Sequence, residues 1–224
     1  SAPTARRPLV KICGITREEA GLLAAELGAD MLGFVFSTTK RLTTEEFVRN
    51  FAGKIRLCHP EQAQRVEGSP LLVGVITDPD SPEGKTAIKL AHEGILDAVQ
   101  FHGTPTPANT GNALPCYAAA RIGEPADFDY VAALRKSGEP RILLDAKVEG
   151  IPGGTGKTIP ESLLYEKAGD LPFWLAGGIT PENVAAICDK FHPELIDVSS
   201  GVEDAPGIKN AEKMNALFAA LHIC

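Results

Sequence analysis

Short apolar runs alternate with helix-like segments along almost the whole chain, and this alternation limits the fold to very few architectures. "LVKICG" (9–14) precedes "TREEAGLLAAELG" (16–28), where Leu22, Leu23, Leu27 and the alanines form an apolar stripe. "MLGFVF" (31–36) precedes "TTEEFVRNFAGKI" (43–55), which opens with threonine and glutamate as helix starts do. "LLVGVIT" (71–77) leads to a helical pattern over 81–94, and "CYAAARI" (116–122) to one around 127–137. "RILLDA" (141–146) is followed by a glycine-rich loop and a short helix near 160–168. "FWLAGG" (173–178) runs into "TPENVAAICDKF" (180–191), read with Thr180 as the cap and Pro181 at the first helical position. "LIDVSSG" (195–201) precedes the last helix, "NAEKMNALFAALHI". After "AVQFHG" (98–103) proline and glycine break the pattern, and little helix is expected there.

Strands that alternate with helices pair in parallel through helical crossovers. Several of the runs are apolar on both faces, as a sheet covered inside and out requires. Eight units in 224 residues point to an α/β fold, a single (β/α)8 TIM barrel over 9–224. The competing doubly wound sheet needs a topological switch point, and no G-x-G-x-x-G follows the first strand. The leading "SAPTARRP" (1–8) reads as a tail outside the barrel, and 56–70 as an insertion on the side away from chemistry.

Charge and cysteine usage then remove whole classes of function. Lys and Arg total 22 against 29 acids, a net charge of −7, so no basic face for nucleic acid is expected. No apolar run approaches the roughly 20 residues of a membrane span. The five cysteines (Cys13, Cys58, Cys116, Cys188 and Cys224) are scattered and never form C-x-x-C pairs. That spacing argues against a disulfide framework and against a metal site, and makes a reducing cytoplasm the natural compartment.

In such a barrel the chemistry gathers at the C-terminal ends of the strands. The first strand ends in Cys13, the fourth in Gln100 and His102, the sixth in Asp145, and the eighth carries Asp197 and Ser199 before Ser200 and Gly201. A thiol and a carboxylate across one barrel mouth make an acid/base pair that needs no metal. A lone cysteine at a strand end is more often a small buried hydrophobe, and a lone aspartate often a cap or turn former. His102 suits a substrate contact or a structural hydrogen bond better than catalysis. "PGGTGKT" (152–158) fails the P-loop spacing, because Ile151 stands where the first glycine belongs. Glycines nonetheless mark three consecutive tips: Gly153, Gly154 and Gly156 after the sixth strand, Gly177 and Gly178 at the seventh, and Gly201 at the eighth. Backbone N–H groups without side chains in the way suit a phosphate, and the β7 and β8 loops are the usual phosphate site of this barrel. Lys40 and Arg41 add positive charge at the same rim, and an arginine can fork two donors onto a carboxylate.

With these residues assembled, the chain resembles the phosphoribosylanthranilate isomerases of tryptophan biosynthesis. The segments "KICGIT", "GADMLGFVF" with "KR" after it, "VGVITD", "DAVQFHG", "LLDA", "GGTGKT", "LAGGITPENV" and "IDVSSGVEDAPGIK" carry the likeness nearly end to end. The resemblance implies Cys13 as general base, Asp145 as general acid and Arg41 as the holder of the anthranilate carboxylate. It further implies a small phosphosugar substrate, no cofactor, and a monomer or homodimer. The reaction implied is an Amadori rearrangement. Its demands are a thiolate from a cysteine of ordinary pKa about 8.5, and a protonated aspartic acid despite a reference near 3.9. Lys11, two residues before Cys13 and on the same strand face, is expected to lower the thiol's pKa. The apolar "ILL" before Asp145 is expected to raise the acid's. Leu42 stands where an aromatic often follows "KR", so ring stacking must come from elsewhere. The loops at 40–42 and 150–157 are the expected covers of the site. A histidine-pathway aminoaldose isomerase would use two aspartates rather than Cys13 with Asp145, and a mere phosphate-binding barrel would need neither.

Overall fold

The computed structural model describes residues 7–57, 69–103, 114–139, 141–146, 162 and 174–221. Eight parallel strands close into a barrel in chain order: β1 (Leu9–Cys13), β2 (Met31–Val35), β3 (Leu71–Ile76), β4 (Ala98–His102), β5 (Cys116–Ile122), β6 (Ile142–Ala146), β7 (Trp174–Ala176) and β8 (Leu195–Val198). β1 pairs with β8, with Lys11 level with Asp197, and this pairing closes the ring. Among the described residues six helices with defined bounds pack outside it: α1 (Glu18–Glu26), α2 (Glu45–Leu57), α3 (Pro82–His92), α4 (Asp127–Lys136), α5 (Val184–Phe191) and α6 (Ala211–Leu221). The barrel expected from the sequence is therefore the fold observed. Apart from residue 162, which is helical, the helix expected near 160–168 lies outside the described residues, as does most of the expected insertion at 56–70, although α2 itself runs on to Leu57. Arg7, assigned to the leading tail, donates to Asp30 Oδ2 at 3.0 Å and to the Gly28 carbonyl at 2.9 Å.

Strand alternation sorts the core into two layers. In β1, Val10 and Ile12 point out beneath the helices, whereas Lys11 and Cys13 point into the barrel. The same period sends Ile196 and Val198 outward and Leu195 and Asp197 inward, and in β6 Ile142 and Leu144 outward and Leu143 inward. The outer layer is the larger and takes nearly all the apolar helix faces, including the tilted ring cluster of Phe34, Phe47 and Phe51. The inner layer is a short plug in which Trp174 meets Tyr117 edge to face at 4.8 Å. Above this plug the inward positions turn polar, and there the candidate site residues sit.

Two local features differ from the sequence reading. α5 begins at Val184 with Asn183 at its N-cap, so Thr180 and Pro181 belong to the turn before it. Asn183 Oδ1 accepts the Thr180 N–H at 2.8 Å, and its Nδ2 donates to the Gly178 carbonyl at 2.9 Å. A side chain that satisfies the loop's own backbone replaces the cap and fixes the tip of β7. The second feature is a two-stranded antiparallel ribbon between β8 and α6, made of β9 (Glu203–Ala205) and β10 (Ile208–Lys209). The sequence reading had treated this stretch as connection only.

Candidate active site

The C-terminal end of the barrel holds a cavity of about 350 Å³, within the roughly 300–1,000 Å³ typical of small-molecule sites. All the expected site residues that are described line it. Cys13 and Asp145 reach it as the last inward positions of β1 and β6, His102 as that of β4, and Arg41 from the loop after β2. Gly177 and Gly178 follow β7, and Ser200 and Gly201 follow β8, at the start of a single 3-10 turn over Ser200–Val202. Gly153, Gly154, Gly156 and the expected cover at 150–157 lie outside the described residues.

Glycine is required at several of these positions by contact. A Cβ on Gly33, the β2 residue level with Cys13, would stand 2.7 Å from Cys13 Sγ, so its absence makes room for the thiol. A Cβ on Gly201 would collide with the Ile179 carbonyl oxygen at 1.9 Å. The tips of β7 and β8 are thus pressed together, with Gly177 and Gly178 both at positive φ.

Below the cavity lies a buried polar cluster. Lys11 is fully buried, with Nζ 2.6 Å from Asp197 Oδ2 and 2.5 Å from Gln100 Oε1. The same Gln100 oxygen accepts the Tyr117 hydroxyl at 2.9 Å. Burial alone would favour the neutral amine, but the opposing charges, Asp197 first among them, outweigh it and hold Lys11 as an ammonium. Cys13 behaves otherwise. Burial pushes its thiol above the ordinary value, and the pull of Lys11 and Lys209 in the other direction does not cancel this. The sequence reading expected Lys11 to leave Cys13 with a lowered pKa, and this needs correction. The lysine acts in that direction, but it is already committed to Asp197, whose own charge pushes the thiol up.

The free enzyme should therefore carry Cys13 as a thiol at neutral pH. Iodoacetamide labelling of the Cys13 peptide, followed by mass spectrometry, should be slow at pH 7 and rise about tenfold per pH unit toward pH 9, as the thiolate fraction does. Half-maximal labelling below pH 8 would contradict the dominance of burial.

His102 Nε2 is buried 3.4 Å from Asp145 Oδ2, without a well-aligned hydrogen bond. Arg121, level with Asp145 on the neighbouring strand, also lines the cavity. Across the mouth, Arg41 is forked onto Glu203, and Lys209 joins the same carboxylate. The cavity wall thus carries two arginines, Arg41 and Arg121, beside two aspartates, Asp145 and Asp197, and the arginines are groups that can meet an anionic ligand. Among the described residues no three His, Cys, Asp or Glu side chains gather as a metal would require.

The profile of the N-(5'-phosphoribosyl)anthranilate (PRA) isomerase family matches residues 10–220. The chain belongs to that family. A PRA isomerase from Pseudomonas putida is 38% identical over 216 residues, covering 94% of this chain and 96% of its own. One from Nitrosospira multiformis is 35% identical, with 96% of each chain covered. Among solved structures, the PRA isomerase of Thermotoga maritima superposes with a TM-score of 0.77 at 29% identity, covering 97% of this chain and all of its own. A PRA isomerase in complex with reduced 1-(o-carboxyphenylamino)-1-deoxyribulose 5-phosphate matches with a TM-score of 0.75 at 27% identity, over 97% of this chain and all of its own.

Sequence reasoning missed three charged residues in or beside the cavity. Arg121 sits in an otherwise apolar strand, where period-2 alternation from Tyr117 and Ala119 would have aimed it inward. Glu203 and Lys209 sit in the quoted segment "IDVSSGVEDAPGIK", whose glycines drew attention away from its charges. Their significance depends on the β9–β10 ribbon, for which the Pro-Gly turn at 206–207 was the available signal.

Proposed function

We propose that this PRA isomerase family member converts N-(5'-phosphoribosyl)anthranilate into 1-(2-carboxyphenylamino)-1-deoxyribulose 5-phosphate, a step of tryptophan biosynthesis. The observation that carries the reading is one cavity lined at once by Cys13, by Asp145 and by the glycine tips of β7 and β8. A phosphate held at Gly177, Gly178, Ser200 and Gly201 would lay the ribose across the barrel mouth, between the thiol and the carboxyl group. The ring carboxylate would meet Arg41.

The rearrangement needs only proton transfers. Asp145 gives its proton to the furanose ring oxygen, the C1–O bond breaks, and the nitrogen lone pair forms the C1=N iminium. Cys13, as thiolate, removes the proton from C2. The electrons of that bond form the C1=C2 enolamine, which tautomerises to the C2 ketone, so substrate and product have the same atoms. A thiol of raised pKa gives a scarce but strong base, suited to a poorly acidic C–H. The Lys11 and Lys209 charges nearby stabilise the thiolate once formed.

No described helix is long and apolar enough to cross a membrane. A cytoplasmic location remains our proposal, as does a monomer or homodimer; a solved Thermotoga maritima relative consists of monomers generated from a dimeric enzyme. The test is to mix the purified protein with freshly prepared phosphoribosylanthranilate and follow the loss of substrate fluorescence. Turnover is expected. An inert protein that still binds the reduced product analogue would remove the catalytic reading and leave a binding barrel.

A further inference from the structure

We propose that Glu203 is a positioning residue that aims Arg41 at the substrate carboxylate, and that the β9–β10 ribbon exists at this site to hold it. The proposal rests on the reading of Arg41 given above and deepens it.

Glu203 is almost wholly buried, and both its oxygens are occupied. Oε1 accepts Arg41 Nε at 3.0 Å, Lys209 Nζ at 2.8 Å and the Gly207 N–H at 3.2 Å. Oε2 accepts Arg41 Nη2 at 2.6 Å and Nε at 3.2 Å. This fork uses the Nε–H and one Nη2–H along one edge of the guanidinium, so both Nη1 hydrogens and the outer Nη2 hydrogen are left for a second carboxylate. Burial would favour the neutral acid, but hydrogen bonds from Arg41 and Lys209 outweigh it and hold Glu203 below the usual carboxylate range.

The charges do not balance. Two cations, Arg41 and Lys209, face one carboxylate, and one positive charge remains beside the cavity. A substrate carboxylate would complete the set.

The surroundings are shaped around this pose. A Cβ on Gly14 would stand 2.7 Å from Arg41 Cδ, so the arginine lies directly over the backbone after Cys13, at a residue whose φ of +83° also favours glycine. The Gly207 carbonyl accepts the Thr16 hydroxyl, which ties the ribbon's turn to the loop after β1. Lys213 Nζ donates to the Glu203 carbonyl at 2.7 Å. Lys209 Nζ also donates to the Cys13 carbonyl and, at 3.2 Å, to that of Ser199. One carboxylate thus connects the arginine, the backbone of the proposed base and the tip of β8.

The test compares phosphoribosylanthranilate with N-(5'-phosphoribosyl)aniline, which lacks the carboxylate, and reads the ratio of their kcat/KM values. Arg41→Met should abolish the parent's preference. Glu203→Gln should cut it about tenfold or more, mainly through KM for the carboxylated substrate, the scale of one charge-assisted hydrogen bond. In the Arg41→Met background, Glu203→Gln should change the ratio no further, because Glu203 acts through the arginine. A general structural lesion would slow both substrates alike and leave the ratio intact. If Glu203→Gln does not fold, Glu203→Asp decides: a ratio between those of the parent and Arg41→Met supports positioning, and a parental ratio overturns it. A parent inert on both substrates removes the isomerase reading instead. A preference that survives Arg41→Met removes the arginine's role. Preference lost in Arg41→Met but kept in Glu203→Gln overturns the positioning proposal alone.

Discussion

Cys13→Ser and Asp145→Asn are each expected to lower kcat for phosphoribosylanthranilate by about 10²–10⁴, the contribution of a positioned base or acid. Both changes nearly conserve shape. Serine fits the space that Gly33 leaves for the thiol, but its hydroxyl gives up a proton far less readily than a thiol does, so the base is absent at any working pH. Asparagine keeps the volume and hydrogen-bonding reach of Asp145 next to His102, but has no acidic proton to give the ring oxygen. Binding of the reduced product analogue, followed by calorimetry, should change little, because the proposed phosphate and carboxylate contacts belong to other residues. If either variant retained more than about a tenth of the parental kcat, its residue could not hold the assigned role.

The largest stability effect is expected below the site. Lys11→Met leaves Asp197 buried without its cation and removes a donor from Gln100 Oε1. Removing one partner of a buried ion pair costs about 3–5 kcal/mol, which urea unfolding of the parent and variant would resolve. Lys11→Met combined with Asp197→Leu should recover part of that loss, since an apolar pair of similar volume leaves no stranded charge. A single-variant cost below about 1 kcal/mol would show that water or another cation reaches Asp197.

The barrel was legible because its strands repeat one signal eight times, an apolar run ended by glycine or a polar residue. The placement of the proposed acid/base pair was legible for a related reason: period 2 makes Cys13 and Asp145 the last inward residues of apolar strands. Relationships between distant segments were not legible. Nothing local to Lys11 says that Asp197 will neutralise it, so its effect on Cys13 was overrated. Nothing local to Arg41 says that Glu203, 162 residues away, will take one edge of its guanidinium. The start of α5 differs for a simpler reason: Thr180-Pro181 does open a hydrogen-bonded turn, with the Val184 N–H on the Thr180 carbonyl at 3.0 Å, but Asn183 commits its side chain to the Thr180 N–H and the Gly178 carbonyl, and regular helix starts only at Val184.

The seam between β1 and β8 bears on how the chain is made. Lys11 leaves the ribosome well before its partner Asp197, which follows 186 positions later. Until β8 has been made, β1 has no strand to close the ring on and Lys11 has no Asp197 to pair with. A nascent chain stopped before β8 therefore lacks the carboxylate that makes burying Lys11 tolerable, and it also lacks Ser200, Glu203 and Lys209. Ring closure and assembly of the site become the same late event, so an incomplete polypeptide cannot settle into a half-working catalyst.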